Sequence, residues 1–215
     1  MTGLRCDDDP RLHRELARLR DLPVNFDVDA VDPQDPGPEW TVDDRRRELP
    51  GEPPGPPLVG GPWERACALV ADYKFADPTL VRRACRTGAE PVAGADLLLE
   101  TSFHGLVFLL PCRVGGITDS TRDGVRVWGW NYRTLRGHLE QGQMDFLVRK
   151  DTATGAVEFQ VRAFSRTAPI PNPVVRLGFA VFGRSTQLRF IRGAGDRMAE
   201  LTEPVARPAD RSRRR

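Results

Sequence analysis

Hydrophobic and polar positions fall into three regimes along the chain. The first 62 residues carry no sustained apolar period. Asp, Pro, Gly and Arg dominate there, ending in the run PGEPPGPPLVGGP over residues 50–62, which is poor in backbone donors. Within this stretch a short helix is predicted around residues 10–20 and a strand over Trp40–Arg45. From Trp63 the spacing turns helical. Ala66, Leu69 and Val70 recur within Trp63–Ala71, and Leu80, Val81 and Ala84 within Pro78–Cys85. Two short helices are expected, the second opened by Asp77 as N-cap with Pro78 at its first position.

The second regime has a period of two. Five strand-like segments follow in series: Leu97–Phe103, Leu106–Val114, Val125–Thr134, Gln143–Lys150 and Val157–Arg166. His104-Gly105 and Asp123-Gly124 mark tight turns between them. Alternation puts Trp128, Trp130 and Tyr132 on one face of their strand. In the last strand it sets Val157, Phe159, Val161 and Ala163 against Glu158, Gln160 and Arg162. Sequential strands with short turns predict an antiparallel meander.

The third regime is helical again. After Pro169–Pro173, the residues Val174, Leu177, Val181, Leu188, Ile191 and Met198 share about a third of a helical wheel. Gly183 is expected to kink or split this helix, and Pro204 to end it. The expected domain is α+β, an antiparallel meander wrapped on a long C-terminal helix. That order resembles the helix-grip architecture of the START and Bet v 1-like superfamily. The domain is expected over residues 63–203, after a largely irregular extension (1–62) and before a disordered Arg-rich tail (204–215).

One stretch carries a specific signature. VRVWGWNYRTLRGHLEQGQMDFLV (125–148) is followed by VEFQVRAFSR (157–166) and PNPVVRLGFAVFGRSTQLRF (171–190). Together they resemble a bacterial and plant family known as the domain of unknown function nineteen-ninety. The matching residues are Thr134, Leu135, Gly137, His138, Glu140 and Gly142, then Phe164, Ser165, Arg166 and Gln187. The likeness spans residues 63–200. The chain departs from it at Gln143, where many relatives have an acid, and at Thr167, where many have proline. The resemblance implies a fold and a set of site residues; it implies no activity.

His138 and Glu140 stand two apart, so in an extended segment their side chains point the same way. An imidazole beside a carboxylate is the arrangement a general acid or base uses. A purely structural role, satisfying the backbone groups of the Thr134–Gly142 turn, is the stronger reading of these residues taken alone. Arg133, Arg136 or Arg166 could clamp an anion. Arg166 could instead pair with Glu140 or Asp145 across the sheet. No serine-nucleophile elbow surrounds Ser165, and Cys112 reads as a small core residue. The three histidines have no metal-ligand spacing and no dinucleotide-binding motif is present, so neither metal nor cofactor is expected.

Composition then narrows the classes. No apolar run is long enough to span a membrane. Residues 1–10 lack the pattern of a secretory signal, and four scattered cysteines make no disulfide framework; a cytoplasmic location is expected. Charge is segregated, with 13 acids against 8 bases in residues 1–50 and 12 bases against 6 acids in residues 151–215. Only Lys74 and Lys150 are lysine, so arginine use is general and nucleic-acid binding is not expected. The leading expectation is a domain that binds an apolar or amphipathic small molecule between sheet and C-terminal helix. Its expected ligand-binding residues are Trp128, Trp130, Tyr132, Arg133, Thr134, His138, Glu140, Ser165, Arg166 and Gln187, with a cavity of roughly 300 Å³ or more and His138, Glu140 and Arg166 at a polar mouth. Two alternatives stay open: a cofactor-independent enzyme using His138 and Glu140 as an acid–base pair, and a scaffold binding polyanions through the tail.

Overall fold

Seven antiparallel strands form one sheet in the order β1-β7-β6-β5-β4-β3-β2. The strands are β1 (Thr41–Leu49), β2 (Val81–Arg86), β3 (Asp96–Phe103), β4 (Leu106–Arg122), β5 (Val125–Thr134), β6 (Glu140–Asp151) and β7 (Val157–Thr167). Helices α1 (Pro10–Arg18), α2 (Pro62–Ala71) and α3 (Pro173–Thr202) complete the fold. This computed structural model describes residues 9–103 and 106–203, without the side chains of residues 103 and 181. His104 and the Arg-rich tail lie outside the described residues.

The meander from β2 to β7 follows chain order, and β1 then pairs along β7 from Thr41↔Ser165 to Leu49↔Val157. Asp123 and Gly124 both have positive φ, 49° and 75°, as a two-residue hairpin of the favoured twist requires. The inner face gathers Leu97, Leu99, Trp130, Phe146, Val148, Phe159 and Val161 against Ala66, Val70, Ile191, Ala194 and Met198 of α2 and α3. This is the helix-grip arrangement.

Several expectations are corrected. Pro78–Cys85 is no helix. Asp77 accepts from Thr79 N (2.8 Å) and Thr79 Oγ1 (2.7 Å), closing a turn, and the chain then extends as β2 beside β3. A short helical pattern is a weak preference, and the unpaired edge of the apolar strand β3 outweighs it. Helix α3 runs unbroken through Gly183. Its buried line is Gly183, Gln187, Ile191, Ala194 and Met198, whereas Val174 (77% exposed) and Leu177 (68%) face outward.

Residues 9–62 are more structured than their composition suggests. Leu12, Leu16 and Leu19 pack with Leu98 and Leu135 on the outer face of the sheet. Phe26 and Trp40 cluster edge-to-face with Phe164 on that face. The proline-rich run is held by a buried ion pair, Lys150 Nζ–Glu52 Oε2 at 2.6 Å, both side chains fully enclosed. Lys150 also donates to the carbonyls of Pro53 and Pro56, and Glu52 accepts from Leu58 N and Trp63 N. Burial opposes ionisation of Glu52, yet these donors hold its carboxyl below the usual range.

Removing one member of such a pair strands the other charge, a loss of about 3–5 kcal/mol. Glu52→Gln should lose that much stability in urea unfolding at pH 7, and Glu52→Gln combined with Lys150→Met should recover a large part. Because Glu52 has a depressed pKa in the folded state, its stabilising share is present at neutral pH. It should fade as pH falls through the carboxylate range.

Candidate functional site

Between the sheet and the N-terminal half of α3 lies a cavity of about 330 Å³. Helix α3 packs on β1, β7 and α2 through its C-terminal half. Its first four turns stand over the ends of β2, β3 and β4 without closing on them. Val81, Leu99, Phe108, Leu110 and Met144 form the sheet-side wall; Val175, Phe179 and Phe190 form the helix side. Exposed Val174 and Leu106 mark the mouth, and buried Tyr73 and Tyr132 mark the inner end. Phe179 lies over Gly183, where an added Cβ would stand 2.8 Å from the ring.

Four of the expected residues reach this space: Tyr132, His138, Glu140 and Gln187. Ser165 stands directly behind Gln187, accepting from its Nε2 at 2.9 Å. The others point elsewhere. Trp130 is core, its indole N–H donating to Val70 O at 3.0 Å under α2, and Trp128 packs at the edge of the same cluster. Thr134 Oγ1 accepts from Gly142 N and donates to Asn25 Oδ1, a turn contact. Arg133 bonds Gln143 Oε1. Arg166 donates to Gln141 Oε1 and lays its guanidinium 4.3 Å from the centre of the Trp40 ring. Strand parity sends Arg133 and Arg166 to the outer face, so Arg166 neither meets Glu140 or Asp145 nor guards the mouth, which is apolar.

His138 and Glu140 share the cavity wall but not a side-chain bond. The ring Nδ1 stands 2.9 Å from the main-chain N and 3.1 Å from the main-chain O of Glu140, so its partner is the backbone in either tautomer. Burial lowers the His138 pKa to about 4. The Glu140 carboxyl instead accepts from Ser165. Burial raises its pKa to about 7, with Arg184 opposing the rise and Asp43 adding to it.

Behind Glu140 runs a polar relay absent from the sequence reading. Asp43 of β1 grips Arg184 of α3 through both carboxylate oxygens, one contact being 2.7 Å. Arg184 donates to Gln187 Oε1 (2.8 Å), Gln187 donates to Ser165 Oγ, and Ser165 is left to donate to Glu140. Every link points its hydrogen toward the cavity. The i, i+3 spacing of Arg184 and Gln187 on one helix face was visible in the sequence; the reach of Asp43 was not, since it depends on β1 joining β7.

The family described as a domain of unknown function (DUF1990) matches residues 26–197. No curated protein matches the chain. Among solved structures, the ginseng major latex-like protein 151 of Panax ginseng is 11% identical, covering 78% of this chain and 100% of its own, with a TM-score of 0.46. A hypothetical protein of Helicobacter pylori is 11% identical over 76% of this chain and 88% of its own, at 0.47. A Thalictrum norcoclaurine synthase point mutant is 9% identical over 76% and 94%, at 0.47. Among the described residues no helix is long and apolar enough to cross a membrane.

The His138 geometry makes a direct prediction. Its ring resonances should titrate with a midpoint near pH 4, and Glu140→Gln should leave that midpoint in place, because the partner is the Glu140 main chain. The folded state binds fewer protons at His138 than the unfolded state does between about pH 4 and 6.5, so this group withdraws stability as pH falls through that window.

Proposed function

The chain belongs to the DUF1990 family, and on that premise we propose that it is a binding protein for a small apolar or amphipathic molecule held between the sheet and α3. The observation that carries this reading is the cavity itself, about 330 Å³ and lined almost wholly by aliphatic and aromatic side chains. That volume is at the lower end of small-molecule sites, where burial of ligand surface supplies most of the affinity. A few polar groups at the inner end would orient the ligand.

The acid–base alternative gains nothing from the geometry. The His138 Nδ1 is committed to the Glu140 backbone, and the Glu140 carboxyl to Ser165. His138 thus supports the β5–β6 turn that places Glu140.

A neutral naphthyl dye such as N-phenyl-1-naphthylamine should bind once per chain with enhanced fluorescence. Gly178 lines the cavity, and a Cβ added there meets nothing within 4 Å. Gly178→Leu should therefore fold at least as stably, since leucine is favoured over glycine in a helix by about 1 kcal/mol. It should also project into the space and weaken dye binding by about tenfold, a loss of roughly 1.4 kcal/mol. Undiminished binding in a folded Gly178→Leu protein would overturn this reading. Native mass spectrometry of protein from its own host would then identify the resident molecule.

A further inference from the structure

The charge pattern of the cavity restricts what it can hold. Among the described residues that line it, Glu140 is the sole acid, and none is lysine or arginine. The nearest cation, Arg184, is gripped by Asp43, so its charge is largely cancelled before it reaches the cavity. His138 is neutral, with Nδ1 occupied. Hydrogen bonds from Arg184 through Gln187 and Ser165 orient the Glu140 carboxyl and leave its remaining lone pairs as acceptors.

Tyr73 adds a second, independent sign. Its hydroxyl is buried at the inner end of the cavity, faced by the Tyr132 hydroxyl but with no partner at good hydrogen-bond geometry. Its backbone is left-handed at φ 55°, a conformation rare for a bulky side chain and sustained here by ring packing on Phe75, Trp130 and Phe146. A buried hydroxyl so poorly paired favours a polar ligand end beside it; because a phenol both donates and accepts, the sign of that end is set by Glu140.

Resting on the binding reading above, we propose that this cavity selects amphipathic molecules whose polar end donates hydrogen bonds, protonated amines foremost, and rejects carboxylates. An ammonium group can donate to Glu140 and to the Tyr73 oxygen, and it replaces lost water with a charge partner. A carboxylate entering the same space would meet another acid and no free cation, an uncompensated burial of charge. An alcohol falls between the two.

The test uses octylamine, octanol and octanoate, which share one apolar chain, each displacing N-phenyl-1-naphthylamine from the full-length protein at pH 8. Glu140, with its pKa near 7, is ionised there. Octylamine should displace the dye at a concentration at least about tenfold lower than octanoate, with octanol between. In Glu140→Gln the three should converge, each displacement being read against that variant's own dye affinity. Should that variant fail to fold, the wild-type pH profile serves instead. The advantage of octylamine over octanol should shrink as pH drops from 8 to 6, and octanol itself should not change.

Equal or tighter binding of octanoate would overturn the proposal, as would an amine preference that survives Glu140→Gln. Dye and octanol binding without any amine preference would sink this inference and leave the binding reading standing. Failure of the dye and all three octyl compounds to bind would overturn both.

Discussion

A single helix is too narrow to cover a seven-stranded sheet, and the rest of the structure depends on how that mismatch is resolved. Strands about 4.8 Å apart give a sheet nearly 30 Å across, whereas a helix with its side chains is about 10–12 Å wide. In this chain the C-terminal half of α3 is seated on β1, β7 and α2, where Ile191, Ala194 and Met198 are buried. The N-terminal half therefore overhangs β2, β3 and β4, and the uncovered apolar wall becomes a cavity. Helix α2 fills the other end of the inner face with Trp63, Ala66 and Val70, so the space is confined to one end of the grip.

Polarity inside that space is arranged economically. One acid and one imidazole come from the β5–β6 connection and a phenol from the segment after α2, and each is fixed from behind. The Glu140 main chain holds His138, and Ser165 holds the Glu140 carboxyl. Aromatic packing holds Tyr73. Such support from a second layer of residues is what keeps a binding group in one geometry. The relay from Asp43 ties the first strand of the sheet to the last helix, joining the cavity's inner end to the sheet edge.

Much of this was legible in the sequence. Period-two runs located β3, β5, β6 and β7, and the Thr134–Gly142 signature led to His138 and Glu140. Where the reading failed, tertiary context had outweighed a local signal. Val81–Arg86 looks helical in isolation and becomes a strand because β3 offers an edge. Val174 and Leu177 fit a helical stripe, but the helix rotates to bury Gly183 and Gln187 instead. Arg166 looked like a site residue because its position is part of the family signature. Parity along β7 carries it to the opposite face, onto Trp40. The proline-rich run looked unstructured because nothing local reveals that Glu52 meets Lys150 across 98 positions of chain.

Phe179 and Gly183 together form one boundary of the cavity. The ring rests in the notch left by a residue with no side chain, so it has a place to lie flat against its own helix. One wall of the chamber is thus a ring laid against its own helix, and any side chain added at position 183 would push that ring out of its place.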